Sequence, residues 1–113
     1  MNKSEYKPMK DIKKELFKMR KFGKFNSLAV KIYNCDEDEY ESFEVEIIPY
    51  FFGEIKESFV NTVFTGDVGQ PADQIKEMEK QAIKRAKAVL KTVNNWFEDT
   101  GIEISQEVEI YHQ

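Results

Sequence analysis

Hydrophobic residues recur at intervals of three and four in two parts of the chain, the spacing that places them on one side of an α-helix. In the first part this stripe consists of Met9, Ile12, Leu16, Met19 and Phe22. It predicts a helix that begins near Pro8, because proline suits an early helical position, and that ends before Gly23.

The second apolar stripe belongs to a longer predicted helix, which follows Pro71 and ends near residues 96–98. Its members are Ile75, Met78, Ala82, Ala86, Val89, Val93 and either Trp96 or Phe97. Such a helix would measure about 40 Å, whereas a domain of this size has a radius of gyration of about 13 Å. We therefore expect it to overhang the sheet, to bend, or to have its far end covered by a partner. The apolar residues at that end favour a homodimer.

β-Strands are predicted in four other segments, three of them by alternation of apolar and polar residues and 58–65 by its aromatic and β-branched content. These are 27–33, 42–51, 58–65 and 102–111, with residues 34–39 forming a turn too polar to be buried. Because charged residues fall on one side of these strands, we expect an antiparallel sheet packed on one face only. The element order predicts an α+β fold: helix, three-stranded antiparallel meander, long helix and strand, in a two-layer sandwich with both helices on one face of the sheet.

The 113 residues suit a single domain spanning residues 1–113, of which 1–7 are expected to form a flexible tail. One cysteine cannot form an internal disulfide, and the chain starts with polar, lysine-rich residues rather than an apolar leader. Its longest apolar run, residues 47–52, is too short to span a bilayer. We therefore expect a cytoplasmic protein with no membrane association.

The net charge of −4 conceals changes of sign along the chain. Residues 1–31 carry ten basic residues (Lys or Arg) and three acidic ones (Asp or Glu), whereas residues 32–67 carry one basic and ten acidic residues. Residues 68–98 carry six basic and four acidic residues, and residues 99–113 carry four acidic residues and no basic one. This distribution predicts basic helices and an acidic sheet, and it indicates binding surfaces of opposite sign.

Residues with catalytic or metal-binding chemistry are few. The sole histidine, His112, is the penultimate residue, where we expect the chain to fray. Cys35 precedes a run of acidic residues, which disfavour its thiolate. The segment starting at Asp36 begins like a calcium loop, but Glu41 and Ile47 occupy the positions that require glycine and glutamate. The sequence therefore predicts no enzyme activity, metal or cofactor.

Acidic residues of the predicted strands offer one alternative. If the last strand lay beside the second, a field of carboxylates would form that is able to hold metal ions or to act as acid and base. Its members would be Glu44, Glu46, Glu103, Glu107 and Glu109. A solvated outer face that discourages aggregation explains the same residues more simply.

A row of lysines marks the long predicted helix. Its members are Lys76, Lys80, Lys84, Lys87 and Lys91. At 100° per residue they fall within about 80° of arc, roughly opposite the apolar stripe. Such a row is suited to contacts with phosphates, although an ordinary solvated face would have the same composition.

The order helix, three antiparallel strands, helix resembles the topology of double-stranded-RNA-binding domains. Members of that family carry a lysine cluster at the start of the second helix, which Lys76, Lys80 and Lys84 match. The resemblance implies that both helices and the loop between the first two strands face RNA. Here that loop, residues 34–41, is acidic and lacks the family's glycine and histidine.

Two hypotheses of function follow. The first is a non-catalytic interaction protein whose acidic sheet and hairpin bind a basic protein partner, for example a phage or mobile-element modulator of a nucleic-acid-handling protein. The residues that would bind this partner are Asp36, Glu37, Asp38, Glu39, Glu41, Glu44 and Glu46. The second is a nucleic-acid-binding domain that uses the lysine row.

Overall fold

The computed structural model describes residues 6–36, 40–67 and 71–112. In chain order its elements are α1 (Met9–Lys21), β1 (Ser27–Asp36), β2 (Tyr40–Phe51), β3 (Glu54–Ile55), β4 (Phe59–Asp67), α2 (Ala72–Trp96), β5 (Glu103–Ile104) and β6 (Glu109–His112).

The six strands form one mixed sheet. β1, β2 and β4 make the predicted antiparallel meander, and the short β3 pairs with the end of β2. β5 and β6 lie on the other edge of β1 and run parallel to it. The prediction of one continuous last strand is therefore wrong, because the chain leaves the sheet between Ile104 and Glu109.

One hydrophobic core fills the space between the sheet and the two helices. The residues Leu28, Val30 and Ile32 alternate along β1 and pack with α1 and α2. The helices contribute Ile12, Leu16, Ala82, Ala86, Val89, Leu90 and Val93 to this core. The predicted two-layer α+β fold, with both helices on one face, is confirmed. Phe22 was expected in the core but is 62% exposed, because α1 ends at Lys21.

The length of α2 is accommodated by an elongated molecule. Its 25 residues span about 37 Å, and the chain measures 46 × 28 × 24 Å. The first ten residues of α2 include none that is fully buried, since burial begins at Ala82. The other end is covered within the chain, because Phe97 is buried against Phe17 and Phe25.

The polar segment after the first predicted strand differs from the expected turn. Residues 34–36 continue β1, and Asn34 is only 5% exposed. Its amide donates hydrogen bonds to Glu41 Oε2 and to the Ser42 carbonyl, at 3.0 and 3.1 Å. These partners satisfy the buried amide, which is why a polar residue is tolerated there. Residues 37–39 lie outside the described residues.

At the start of the described chain, Tyr6 forms a parallel bridge with Val60 of β4, and the Lys7 amide donates to the Val60 carbonyl at 2.9 Å. Residues 1–5 of the predicted tail lie outside the described residues. Within the described part of the chain, neither α1 nor α2 offers the uninterrupted apolar stretch that a bilayer-crossing helix needs.

Candidate functional site

Charge divides between the two layers of the fold. The two helices carry twelve Lys or Arg and five Asp or Glu, whereas the six strands carry one Lys and eight Asp or Glu. The helix elements thus have a net charge of +7 and the strand elements a net charge of −7. A molecule polarised in this way attracts an anionic partner to its helices although its total charge is negative.

The lysine row of α2 lies on the exposed side of a regular helix. All five lysines of the predicted row are exposed, because the opposite side of α2 is held against the sheet by Ala82, Ala86 and Val93. None of the five forms an ion pair with another described residue. The 15 residue steps from Lys76 to Lys91 make the row about 22 Å long.

α1 carries a second row of the same kind. Its exposed members are Lys10, Lys14, Lys18 and Lys21. Their intervals of four, four and three repeat the first three intervals of the α2 row, and they lie opposite the buried Ile12 and Leu16. Sequence reasoning counted the lysines of this helix but missed their alignment, which the shared spacing would have revealed. The helix layer therefore presents one row of five lysines on α2 and one of four on α1, and these two rows form our candidate site.

Aromatic contacts join the ends of the two helices. The Phe17 and Phe97 ring centroids are 5.3 Å apart, and Phe25 meets Phe97 edge to face at 5.8 Å. Lys13 Nζ lies 5.5 Å from the Phe17 ring and 5.9 Å from the Trp96 ring. The end of α2 that was expected to favour a dimer is thus used inside the chain.

Arg85 is the one basic residue of α2 that points to the sheet. Its Nη2 and Nε donate to Asn61 Oδ1 at 2.8 and 3.2 Å, and Nε also donates to Thr62 Oγ1 at 3.1 Å. Asn61 is the extra residue of a β-bulge between β2 and β4, it is 1% exposed, and its amide donates to the Lys7 carbonyl at 3.1 Å. Arg85 therefore anchors α2 to the sheet, which distinguishes it from the lysine row.

The described acidic residues of the first hypothesis do not all lie on one surface. Asp36 is exposed at the end of β1. Alternation along β2 places Glu41 on the opposite face from Glu44 and Glu46. Glu46 is only 8% exposed. Glu37, Asp38 and Glu39 lie outside the described residues.

Glu46 is a buried carboxyl on the face that the helices do not cover. Burial raises its pKa, the hydrogen bond from the Ser58 hydroxyl partly counteracts this, and the neighbouring Glu44 carboxylate raises the pKa further. The pKa of Tyr33 is also raised, first by burial and then by the negative charge of Glu46. Like-charge proximity and burial thus both favour the protonated form of Glu46.

Tyrosines surround Lys31 on the same face. Lys31 Nζ lies 4.8 Å from the Tyr111 ring centroid and 5.3 Å from that of Tyr50, and Tyr111 stacks on Tyr33 at 5.4 Å. Burial lowers the pKa of Lys31, but the Tyr50 and Tyr111 hydroxyls outweigh it and hold the pKa above its usual value. A groove of about 650 Å³ runs from Lys31 past Tyr50 to Glu103 and Glu109.

The pairing of the last strand divides the expected field of carboxylates into two groups. The last strand pairs with β1, not with β2, so β1 separates Glu103 and Glu109 from Glu44 and Glu46. The described residues contain no group of three or more His, Cys, Asp or Glu side chains placed to hold a metal ion.

His112 is ordered by a hydrogen bond that the sequence did not reveal. It pairs with Asn34 across β1 and β6, and its Nδ1 donates to Asn34 Oδ1 at 2.8 Å. The amide of Asn34 already donates to Glu41, so the Asn34 oxygen must be the acceptor and Nδ1 must carry the proton. This hydrogen bond makes the expectation of a frayed residue wrong. The sequence did not reveal the bond, because Asn34 is 78 residues away in the chain.

No protein-family model, curated protein or solved structure matches this chain.

Proposed function

We propose that this protein binds double-helical nucleic acid through the lysine rows of α1 and α2. The observation that carries the proposal is the α2 row, five exposed lysines on one helix with no described carboxylate paired to them. Lysines in such a row neutralise phosphates and release counterions, the main source of sequence-independent affinity for nucleic acid. The row length of about 22 Å corresponds to about six base pairs.

Two features favour a duplex over a single strand. Proteins that bind single strands combine positive charge with aromatic side chains on which bases stack. The exposed face of α2 carries lysine, one glutamate (Glu77), glutamine, alanine and asparagine but no aromatic residue between Lys76 and Asn95. Tyr33, Tyr50 and Tyr111 lie on the opposite layer, around Lys31 and next to carboxylates that repel phosphates.

Fluorescence anisotropy with short labelled RNA and DNA duplexes tests the proposal. At low salt the native chain should bind both, and Lys80→Gln/Lys84→Gln/Lys87→Gln should weaken binding by at least about 100-fold, since three phosphate contacts are lost. Lys56, exposed after β3 and paired with Glu54, lies outside both rows and serves as the control. Lys56→Gln should leave the affinity unchanged within about twofold. Absence of binding at low salt contradicts the proposal.

The uncovered face of the sheet supports a second candidate, the binding of a protein partner with a basic surface. Tyrosine is enriched in protein interfaces, and here Tyr33 and Tyr111 stack beside exposed Glu109. Carboxylates beside aromatic rings suit the recognition of lysine or arginine side chains. This candidate keeps the acidic sheet as the binding surface but moves its centre from the hairpin to the groove.

The test of the second candidate uses exposed carboxylates, because reversing the buried Glu46 would damage the fold. Affinity capture from the native host with the unaltered chain is compared with capture by Glu103→Lys/Glu109→Lys. A partner retained by the unaltered chain and by Lys80→Gln/Lys84→Gln/Lys87→Gln, but lost from the carboxylate variant, supports it. A partner retained equally by all three chains contradicts it.

A further inference from the structure

The two edges of the sheet differ in how they are protected. β5 and β6 have two and four residues and are interrupted between them. This edge also carries Glu103, Glu107 and Glu109. Short strands and charges are the usual means by which proteins prevent edge strands from pairing with other chains.

β4 forms the opposite edge. It is longer, and its one charged residue, Asp67, lies at its end. It is a strand of nine residues, Phe59–Asp67, whose inner side pairs with β2. Its outer side meets Tyr6 and Lys7 at Val60. No strand in the described residues pairs with it beyond that point. Among the described residues, the outward N–H and C=O groups of alternate residues between Thr62 and Gly66 therefore have no strand partner, and they suit pairing with another strand.

The composition of β4 favours pairing. The eight residues from Phe59 to Gly66 contain no charged residue and no proline, and most are aromatic or β-branched. Val63 is 41% exposed and Thr65 is exposed on the same face. An uncharged, β-rich edge of this length is the type of segment that adds strands from other chains.

We propose that β4 pairs antiparallel with β4 of a second copy of this chain, forming a two-fold dimer with one continuous sheet. A strand that meets its own copy about a two-fold axis presents the same uncharged residues on both sides, so neither charge repulsion nor an unpaired charge opposes the contact. A charged segment of another protein would find no complementary charge between Phe59 and Gly66.

The dimer has a consequence for the helix layer. Antiparallel edges that pair about an axis perpendicular to the sheet keep both helix layers on the same face. The lysine rows of both copies would then share one surface. The dimer itself does not depend on nucleic-acid binding, and its test is made without nucleic acid.

Molar mass in solution, measured by light scattering over a concentration series, tests the inference. The native chain should approach twice 13.3 kDa. Val63→Lys/Thr65→Lys should stay at 13.3 kDa, because lysines of the two copies would lie opposite each other. Both residues are exposed in one copy, and circular dichroism with a melting curve confirms that the variant folds.

Ser105→Lys/Glu107→Gln is the matched control, since it changes the net charge by the same amount on the other edge, and it should remain dimeric. A native chain that stays monomeric at the highest concentration reached contradicts the inference and leaves the edge to a strand of a different protein. A Val63→Lys/Thr65→Lys variant that still dimerises, or a native chain that grows beyond two copies, also contradicts it.

Discussion

The helix layer and the sheet layer carry opposite charges, but they use them differently. All five lysines of the α2 row are exposed and aligned, because a period of 3.6 residues keeps residues spaced by three and four on one face. Along β2 a period of two assigns Glu41 and Glu46 to opposite faces, and both make hydrogen bonds within the chain. Charged side chains on a helix thus remain available to a partner, whereas those on a central strand are partly engaged in hydrogen bonds within the fold.

The junction between the helices gives the largest expected effect on stability. Phe97→Ala removes a buried ring that contacts Phe17 and Phe25, and it should lower the free energy of unfolding by about 3–5 kcal/mol. Urea denaturation followed by circular dichroism measures this. Phe22→Ala, at an exposed phenylalanine near the same end of α1, is the control and should cost less than about 1 kcal/mol.

Two neighbouring basic residues of α2 should differ in their contribution to the free energy of unfolding. Arg85→Ala removes the guanidinium bonds to the buried Asn61 oxygen, which keeps the hydrogen bond from the Thr62 hydroxyl, and the loss of these charged bonds should cost about 1–3 kcal/mol. Lys84→Ala, one residue earlier in the exposed row, should change stability by less than about 0.5 kcal/mol. Equal losses of unfolding free energy in the two variants would mean that the row is structural.

The buried carboxyl of the sheet should give a smaller, pH-dependent effect. Because the pKa of Glu46 is raised in the folded state, the fold binds more protons than the unfolded chain between the ordinary carboxyl pKa and the raised value. The contribution of Glu46 to stability therefore falls as pH rises through that window.

Glu46→Gln removes this dependence and keeps an oxygen that accepts from Ser58. Its melting temperature should exceed that of the native chain at neutral pH, and the difference should vanish below the ordinary carboxyl pKa. Glu103→Gln, at an exposed position, should show no such difference. A Glu46→Gln gain that persists undiminished in acid would contradict the raised pKa.

Local periodicity is sufficient to predict much of this fold. The apolar stripes predicted both helices to within about two residues at each end. Alternation predicted the first two strands of the meander, and aromatic and β-branched content predicted the third. The partner and direction of the last strand could not be predicted, because alternation identifies the buried face of a strand but not its neighbour. β3 has only two residues, too few for any pattern.

The candidate site shows the same limit. The α2 row was predictable because every member lies on one helix. The burial of Asn34 and Glu46 was not, because it depends on His112 and Ser58, which are distant in sequence. The roles of Arg85 and Asn61 also depend on a contact between α2 and β4 that no local pattern indicates.

Salt dependence of duplex binding tests the central claim, that the helix layer is the functional one, most directly. If the nine lysines of the α1 and α2 rows contact phosphates, the logarithm of the binding constant should fall with the logarithm of salt concentration with a slope of about −8. In Lys80→Gln/Lys84→Gln/Lys87→Gln the slope should become shallower by about three. A native slope near zero, or the same slope in both proteins, would contradict the account.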